Sequence, residues 1–232
     1  MIFLVAEIGV NWAGDLDLAK EMILNAKKTG CNAVKFQAFN ENIVKGYPES
    51  SKLIKTSISK RNIEQINELS KSVGIEWFCT PMYPEAVDLL DPFVKRFKIR
   101  ELDSRPILKN ETTPLFERIL KTNKEVIISS NTSPSTTKYF KNSQIKWLYC
   151  VPKYPSELND LDFTGIRDFH GFSNHSPNII APVTAAILGA QIIEVHITSD
   201  KSKNFFDNNV SFDYSELEEL VKLIRLSEKI KK

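Results

Sequence analysis

Cysteine and histidine are scarce in this chain of 232 residues, with three of each. Cys31, Cys79 and Cys150 are widely spaced and odd in number, which excludes a disulfide framework or a thiolate metal knuckle and points to a reducing, cytoplasmic setting. Neither sign of charge is in large excess: 31 basic residues face 29 acidic ones, net +2, interspersed rather than gathered into a stripe. With no zinc-finger spacing or RNP-like segment, a nucleic-acid partner is not expected. The terminal "EKIKK" reads as a solvated helix end, where cations suit the carbonyl pole of the helix dipole. Long hydrophobic runs are missing too, so no membrane association is expected. The apolar opening "MIFLVAEIGV" has no basic leader and no small-residue cleavage pattern, and reads as a buried first strand. "EIGVNWAG" contains glycines without the dinucleotide-binding spacing, which leaves NAD without support.

What the chain does have is alternation. Short β-branched or aromatic runs at 2–8, 33–39, 75–80, 96–99, 125–130, 146–151, 167–173 and 191–197 give eight expected strands. "DLDLAKEMILNAKKTG" and "SKRNIEQINELSKSVG" carry helical apolar stripes and end in glycine, as capped helices do. Further helices are expected at 84–91, 113–122, 134–141 and 180–189, with "DYSELEELVKLIRLSEKI" as a long last one; the linker between the sixth and seventh strands carries little helical signal. Strand–helix alternation favours parallel pairing through crossovers. Eight such units close a TIM (β/α)8 barrel in roughly 250 residues, so residues 1–232 are expected to form a single barrel domain. An open doubly wound sheet is the alternative.

In a barrel the C-terminal ends of all strands share one mouth. That brings together Glu7 from the first strand, Lys35 and Gln37 from the second, Thr80 from the third and Lys98 from the fourth. Ser129 and Ser130 end the fifth, Ser173 and His175 follow the seventh, and Glu194 and His196 lie in the eighth. Closure makes the first and eighth strands neighbours, so Glu7 approaches the histidine pair. Strand alternation puts Lys35 with Gln37, and Glu194 with His196, on common sides. Two imidazoles with carboxylate, substrate and water oxygens suit a borderline divalent metal: manganese, iron, cobalt or zinc. An ordinary hydrogen bond for each histidine is the other account, and spacing alone does not separate the two. Lys35 and Lys98 interrupt apolar strands, where a lysine needs a partner or must reach the rim. Beside Thr80, Ser130 and Ser173 they make a pocket for a small phosphorylated anion.

Taken in order, "AEIGVNWAGDLDLAKEMILNAKKTGCNAVKFQAF", "FCTPMY", "FKI", "FSNHS" and "IIEVHITSD" resemble the N-acetylneuraminate (sialic acid) synthase family in its phosphoenolpyruvate-condensing barrel domain, from residue 4 to about residue 225. The resemblance implies a cytoplasmic enzyme that joins phosphoenolpyruvate to an aldehyde sugar and releases phosphate. It implies a divalent metal ion, Mn2+ foremost with Mg2+, Co2+, Fe2+ or Zn2+ as alternatives, on His175 and His196. Lys35, Thr80, Lys98, Ser130, Asn159 and Ser173 match positions that hold phosphoenolpyruvate, and Gln37 and Glu194 belong to the same binding motifs. Glu7 looks like the strand-one acid near the reacting centre; Asp207 looks like the acid that follows the last barrel strand and reaches the sugar or metal-bound water. Either of the two carboxylates fits the water-handling role. A homodimer is implied as well.

The departures fall on the sugar side. After Asn11 the family has a histidine and an asparagine, where this chain has Trp12 and Ala13, so Asn11 and Trp12 are expected at the sugar, with the indole stacking on it. "RELDSRPILKNETT" replaces a shorter connection, and its Arg100, Glu101, Asp103 and Arg105 form either a polar rim or a solvated loop. "SSNTS", Asn174 and Val195 also depart from the pattern. The family's C-terminal antifreeze-like domain is not expected in this chain. These changes leave two other readings: a noncatalytic ligand-binding barrel that acts through a protein partner, or an aldolase or isomerase on the same scaffold.

Overall fold

The computed structural model describes residues 1–230. Eight strands form a closed, all-parallel barrel in sequential order: β1 (Phe3–Gly9), β2 (Ala33–Ala38), β3 (Glu76–Pro81), β4 (Arg96–Ile99), β5 (Glu125–Ser130), β6 (Ile145–Tyr149), β7 (Gly171–Asn174) and β8 (Ile192–His196). The last pairs with the first, in a register that sets Glu7 opposite His196. This is the expected TIM barrel. The strands are buried nearly throughout, as strands covered by helices on one side and packed side chains on the other must be.

Among the described residues the helices are α1 (Leu16–Thr29), α2 (Glu41–Val44), α3 (Ser50–Leu53), α4 (Ile63–Val73), α5 (Pro84–Leu90), α6 (Glu101–Leu108), α7 (Pro114–Lys121), α8 (Ile180–Ile187) and α9 (Tyr214–Ser227). Their ends follow local chemistry. The Asp15 carboxylate caps α1 by accepting from the Asp17 and Leu18 amides, and Gly30 closes it in the left-handed region. Asp213 and Glu216 form a reciprocal capping box at α9.

Three expectations are corrected. The helix expected at 134–141 is only a 3-10 turn, Pro134–Thr136, and the β6–β7 connection contains two such turns and no α-helix. The seventh strand starts at Gly171, not at 167, because Ile166–Asp168 is a 3-10 turn. Residues 101–108, read as a rim or a solvated loop, are helical. Only Ser104 and Ile107 of α6 are buried, so it lacks the apolar stripe that would have revealed it, and the Arg105–Glu101 ion pair spans its first turn.

Closure depends on Gly171. A Cβ there would lie 1.9 Å from the Ile192 carbonyl oxygen of β8, so only glycine lets these backbones approach.

Candidate active site

A cavity of about 670 Å³ opens at the C-terminal mouth of the barrel. Its floor follows from strand parity. On each strand the side chains two apart share a face, and the inward set reads Glu7, Lys35 and Gln37, Thr80, Lys98, Ser129, Ser173, Glu194 and His196, all lining the cavity. Cys150 and His175 continue the series just past β6 and β7.

Two lysines and two carboxylates interlock on this floor. Lys35 Nζ lies 2.8 Å from Glu7 Oε2 and 3.7 Å from Glu194 Oε1, and donates to Thr80 Oγ1 at 3.0 Å. Lys98 Nζ and Ser173 Oγ both donate to Glu194 Oε1, at 3.1 and 2.9 Å. All four charged groups are at most 3% exposed. Burial works to raise the Glu194 carboxyl, but the Lys35 and Lys98 ammoniums outweigh it and hold it at about 2. Burial likewise opposes the Lys35 charge, and Glu194 and Glu7 more than offset it, so its pKa is raised. The Ser129 hydroxyl and Glu194 Oε2 are buried without a hydrogen-bond partner in the protein.

Glu7, Gln37 and Asp207 converge on Gly9. Gln37 Nε2 donates to Glu7 Oε1 at 2.7 Å. A Cβ on Gly9 would lie 3.1 Å from Glu7 Oε1, 3.2 Å from Asp207 Oδ2 and 3.2 Å from Gln37 Nε2. Gly9 has φ +54° and sits where the β1–β2 register shifts. Its left-handed backbone and missing side chain are what allow two carboxylates and an amide to share that space.

His175 and His196 face each other with ring centroids 5.6 Å apart. The Val151 carbonyl, 3.0 Å from His175 Nδ1, can only accept, so Nδ1 carries the proton and Nε2 presents its lone pair. Burial, followed by the neighbouring His196, lowers the His175 pKa to about 3 and keeps the ring neutral. His196 Nδ1 lies 3.3 Å from Asp207 Oδ2, and its Nε2 meets the Tyr154 hydroxyl at 2.7 Å. Anchoring one ring nitrogen on an oxygen and freeing the other is how metal-ligating histidines are oriented. The donor set therefore fits a divalent ion, provided the Tyr154 hydroxyl gives up its place on His196. Among the described residues no group of three or more His, Cys, Asp or Glu side chains is spaced to hold a metal. The pair would leave the remaining coordination positions to water and substrate oxygen.

Four expected site residues are elsewhere. Trp12 is fully enclosed, edge-on to Phe36, with Nε1 donating to the Thr56 carbonyl at 2.9 Å; it does not open onto the cavity. Asn11 is enclosed too, donating to the Ile197 carbonyl and Ser211 and accepting from the Asp207 amide. It ties down Asp207 without lining the pocket. Ser130 points to the outer side of β5 at its end and bonds with Thr132, whereas Ser129 takes the inward place. The parity of Ile127 and Ser129 carries that distinction. Asn159 lines a separate shallow depression with Glu157 and Asn178, because the β6–β7 connection carries it away from the mouth.

Sequence reasoning missed Tyr154, whose ring packs 4.4 Å from that of His175, and the apolar outer wall. An aromatic before proline in a linker without helical signal is the only trace of Tyr154 in the sequence. Arg100, Glu101 and Arg105 of the expected polar rim do line the mouth, Arg100 as the cap residue before α6 and the other two within it.

A parallel eight-stranded barrel with charged, hydroxyl and imidazole groups gathered at its C-terminal mouth defines a class: TIM-barrel enzymes, whose chemistry sits at that face. Within that class the chain belongs to the NeuB family, whose model matches residues 22–232. It is 33% identical to N,N'-diacetyllegionaminic acid synthase of Legionella pneumophila over 258 residues, 98% of this chain and 72% of that protein. It is 31% identical to human N-acetylneuraminate-9-phosphate synthase, over 98% of this chain and 70% of that one. The crystal structure of the N-acetylneuraminic acid synthetase from Leptospira borgpetersenii, solved in complex with citrate, superposes with a TM-score of 0.87 at 29% identity, covering 98% of this chain and 84% of that one.

Proposed function

We propose that the chain condenses phosphoenolpyruvate with an aldehyde sugar to give a 3-deoxy-2-keto acid of the sialic acid type and phosphate. The observation that carries this reading is the floor of the cavity: two buried lysines beside an unpartnered Ser129 hydroxyl, within a pocket that also holds the histidine pair. A buried donor without a partner costs roughly 1–3 kcal/mol, and an anionic ligand's oxygen relieves it. Lys35, Lys98, Thr80 and Ser173 present charge and directional donors to the phosphate and carboxylate of phosphoenolpyruvate, fixing the enol carbon for attack on the aldehyde carbon. Water then adds at the carbon bearing the phosphate ester, and phosphate departs with the C–O bond electrons. Glu7 and Asp207, on either side of Gly9, are the groups to orient that water and accept its proton. His175 and His196 would hold a divalent metal ion, which when bound polarises the aldehyde oxygen.

The test is phosphate release and product mass from phosphoenolpyruvate, a divalent metal and a panel of aldoses. Turnover with at least one aldose is expected. Lys98→Met removes a cation at nearly constant volume and is expected to weaken phosphoenolpyruvate binding tenfold or more by calorimetry. Undiminished binding in a folded Lys98→Met protein, or bound phosphoenolpyruvate that no aldose consumes, would overturn the reading.

A further inference from the structure

Asp207 reaches the cavity from an exposed loop. Between β8 and α9 the chain runs out through Lys201, Ser202, Lys203 and Asn204, all exposed, and returns to full burial at Val210 and Ser211. Asp207 lies on the returning limb, and its carboxylate still meets a fixed point, with Oδ2 3.3 Å from His196 Nδ1.

Its main chain accounts for that placement. The Asp207 amide donates to Asn11 Oδ1 at 3.0 Å, and the Asp207 carbonyl accepts from Ser211 Oγ at 2.7 Å. Asn11 Nδ2 in turn donates to Ser211 Oγ at 3.0 Å and to the Ile197 carbonyl at 2.9 Å. The directions are forced, since the asparagine oxygen can only accept, its nitrogen can only donate, and the hydroxyl that receives one bond sends its own proton to Asp207. Ile197 anchors this ring to the barrel: it follows β8, and its amide donates to the Glu7 carbonyl at 3.0 Å. Asp207 is thereby referenced to the strand that bears Glu7. Asn11 and Ser211 are both fully buried, so water cannot stand in for a lost partner, and neither lines the cavity. Whatever they contribute to the chemistry passes through Asp207.

We propose that Asn11 and Ser211 are positioning residues of the condensation: a buried clamp that grips both main-chain polar groups of Asp207 and sets its carboxylate beside Glu7 for the incoming water. The assignment rests on the reaction proposed above. A reacting group displaced by about 1 Å can cost on the order of a hundredfold in rate, so the clamp bears on turnover more than on ligand binding.

Steady-state phosphate release and calorimetric titration with phosphoenolpyruvate test this together. Ser211→Ala is expected to lower kcat about tenfold or more, with phosphoenolpyruvate affinity within about twofold of the unmodified protein. Ser211→Thr, which keeps the hydroxyl, is expected to recover most of the loss. Asn11→Ala frees the Asp207 amide at the other end of the clamp and is expected to give the same split between kcat and affinity. In an Asp207→Ala background, Ser211→Ala is expected to change kcat less than about twofold, because no carboxylate remains to be placed. Equal losses in both backgrounds, an affinity that falls in parallel with kcat, or an unchanged kcat in the folded variants would overturn the clamp and leave the condensation standing. Phosphoenolpyruvate bound but consumed with no aldose would overturn the condensation, and the clamp's part in it.

Discussion

Gly9 and Ser129 show how much one position decides. Gly9 is fixed by what surrounds it, since its empty side is filled by the functional ends of Glu7, Gln37 and Asp207. Ser129 and Ser130 differ only by one step along β5, yet the first has an unpartnered hydroxyl in the cavity and the second bonds with Thr132. Ser129→Ala is therefore expected to weaken phosphoenolpyruvate binding tenfold or more, the worth of one hydrogen bond to a charged group, about 1.5–3 kcal/mol. Ser130→Ala is expected to change it less than twofold. Calorimetric titration of both variants checks this, and the reverse order would place the inward face of β5 wrongly.

Trp12 belongs to the scale of the element. Its indole joins the turn after β1 to the segment between β2 and α4 through the bond to the Thr56 carbonyl, and to β2 itself through the edge contact with Phe36. The sequence reading put it at the sugar because it stands where the resembled family has a polar pair after the first strand. Burial removed it, since an enclosed apolar slot was available for a large side chain. Trp12→Phe keeps most of the apolar contact but leaves the Thr56 carbonyl without its donor. It is expected to cost about 1–3 kcal/mol in urea denaturation with phosphoenolpyruvate affinity unchanged. A folded, fully stable variant with altered phosphoenolpyruvate affinity would contradict this placement. α6 shows the same limit from the other side: its polar sequence hid a helix whose only buried positions are Ser104 and Ile107.

At the scale of the whole molecule, acid stability is set by how histidines are enclosed. His170 Nδ1 accepts the Trp147 amide proton at 3.1 Å, which requires a neutral ring. Burial, then the Lys146 charge, lowers its pKa below the ordinary 6.5. Between the two values the unfolded chain binds a proton that the folded chain does not, so this contribution is complete above pH 6.5 and is lost as the pH falls toward the lowered value. The urea midpoint is expected to drop between pH 7.5 and 5.5, and less so in His170→Asn, whose amide oxygen accepts the same bond without titrating. An equal drop in both proteins would remove His170 from the account. No helix of the described residues is long and apolar enough to cross a membrane, in line with the absence of long apolar runs.

The sequence by itself determined the strands, their parallel order and the inward residues Glu7, Lys35, Gln37, Thr80, Lys98, Ser173, Glu194 and His196, because strand periodicity is local and barrel closure follows from repeated crossovers. The tertiary structure alone decided where Asn11, Trp12 and Asn159 lie and what forms the outer wall. Those outcomes rest on contacts such as Trp12 to Thr56 and Asn11 to Ile197, between residues 44 and 186 positions apart. No local pattern encodes them, since each is settled by which buried donor finds an acceptor once the barrel has closed.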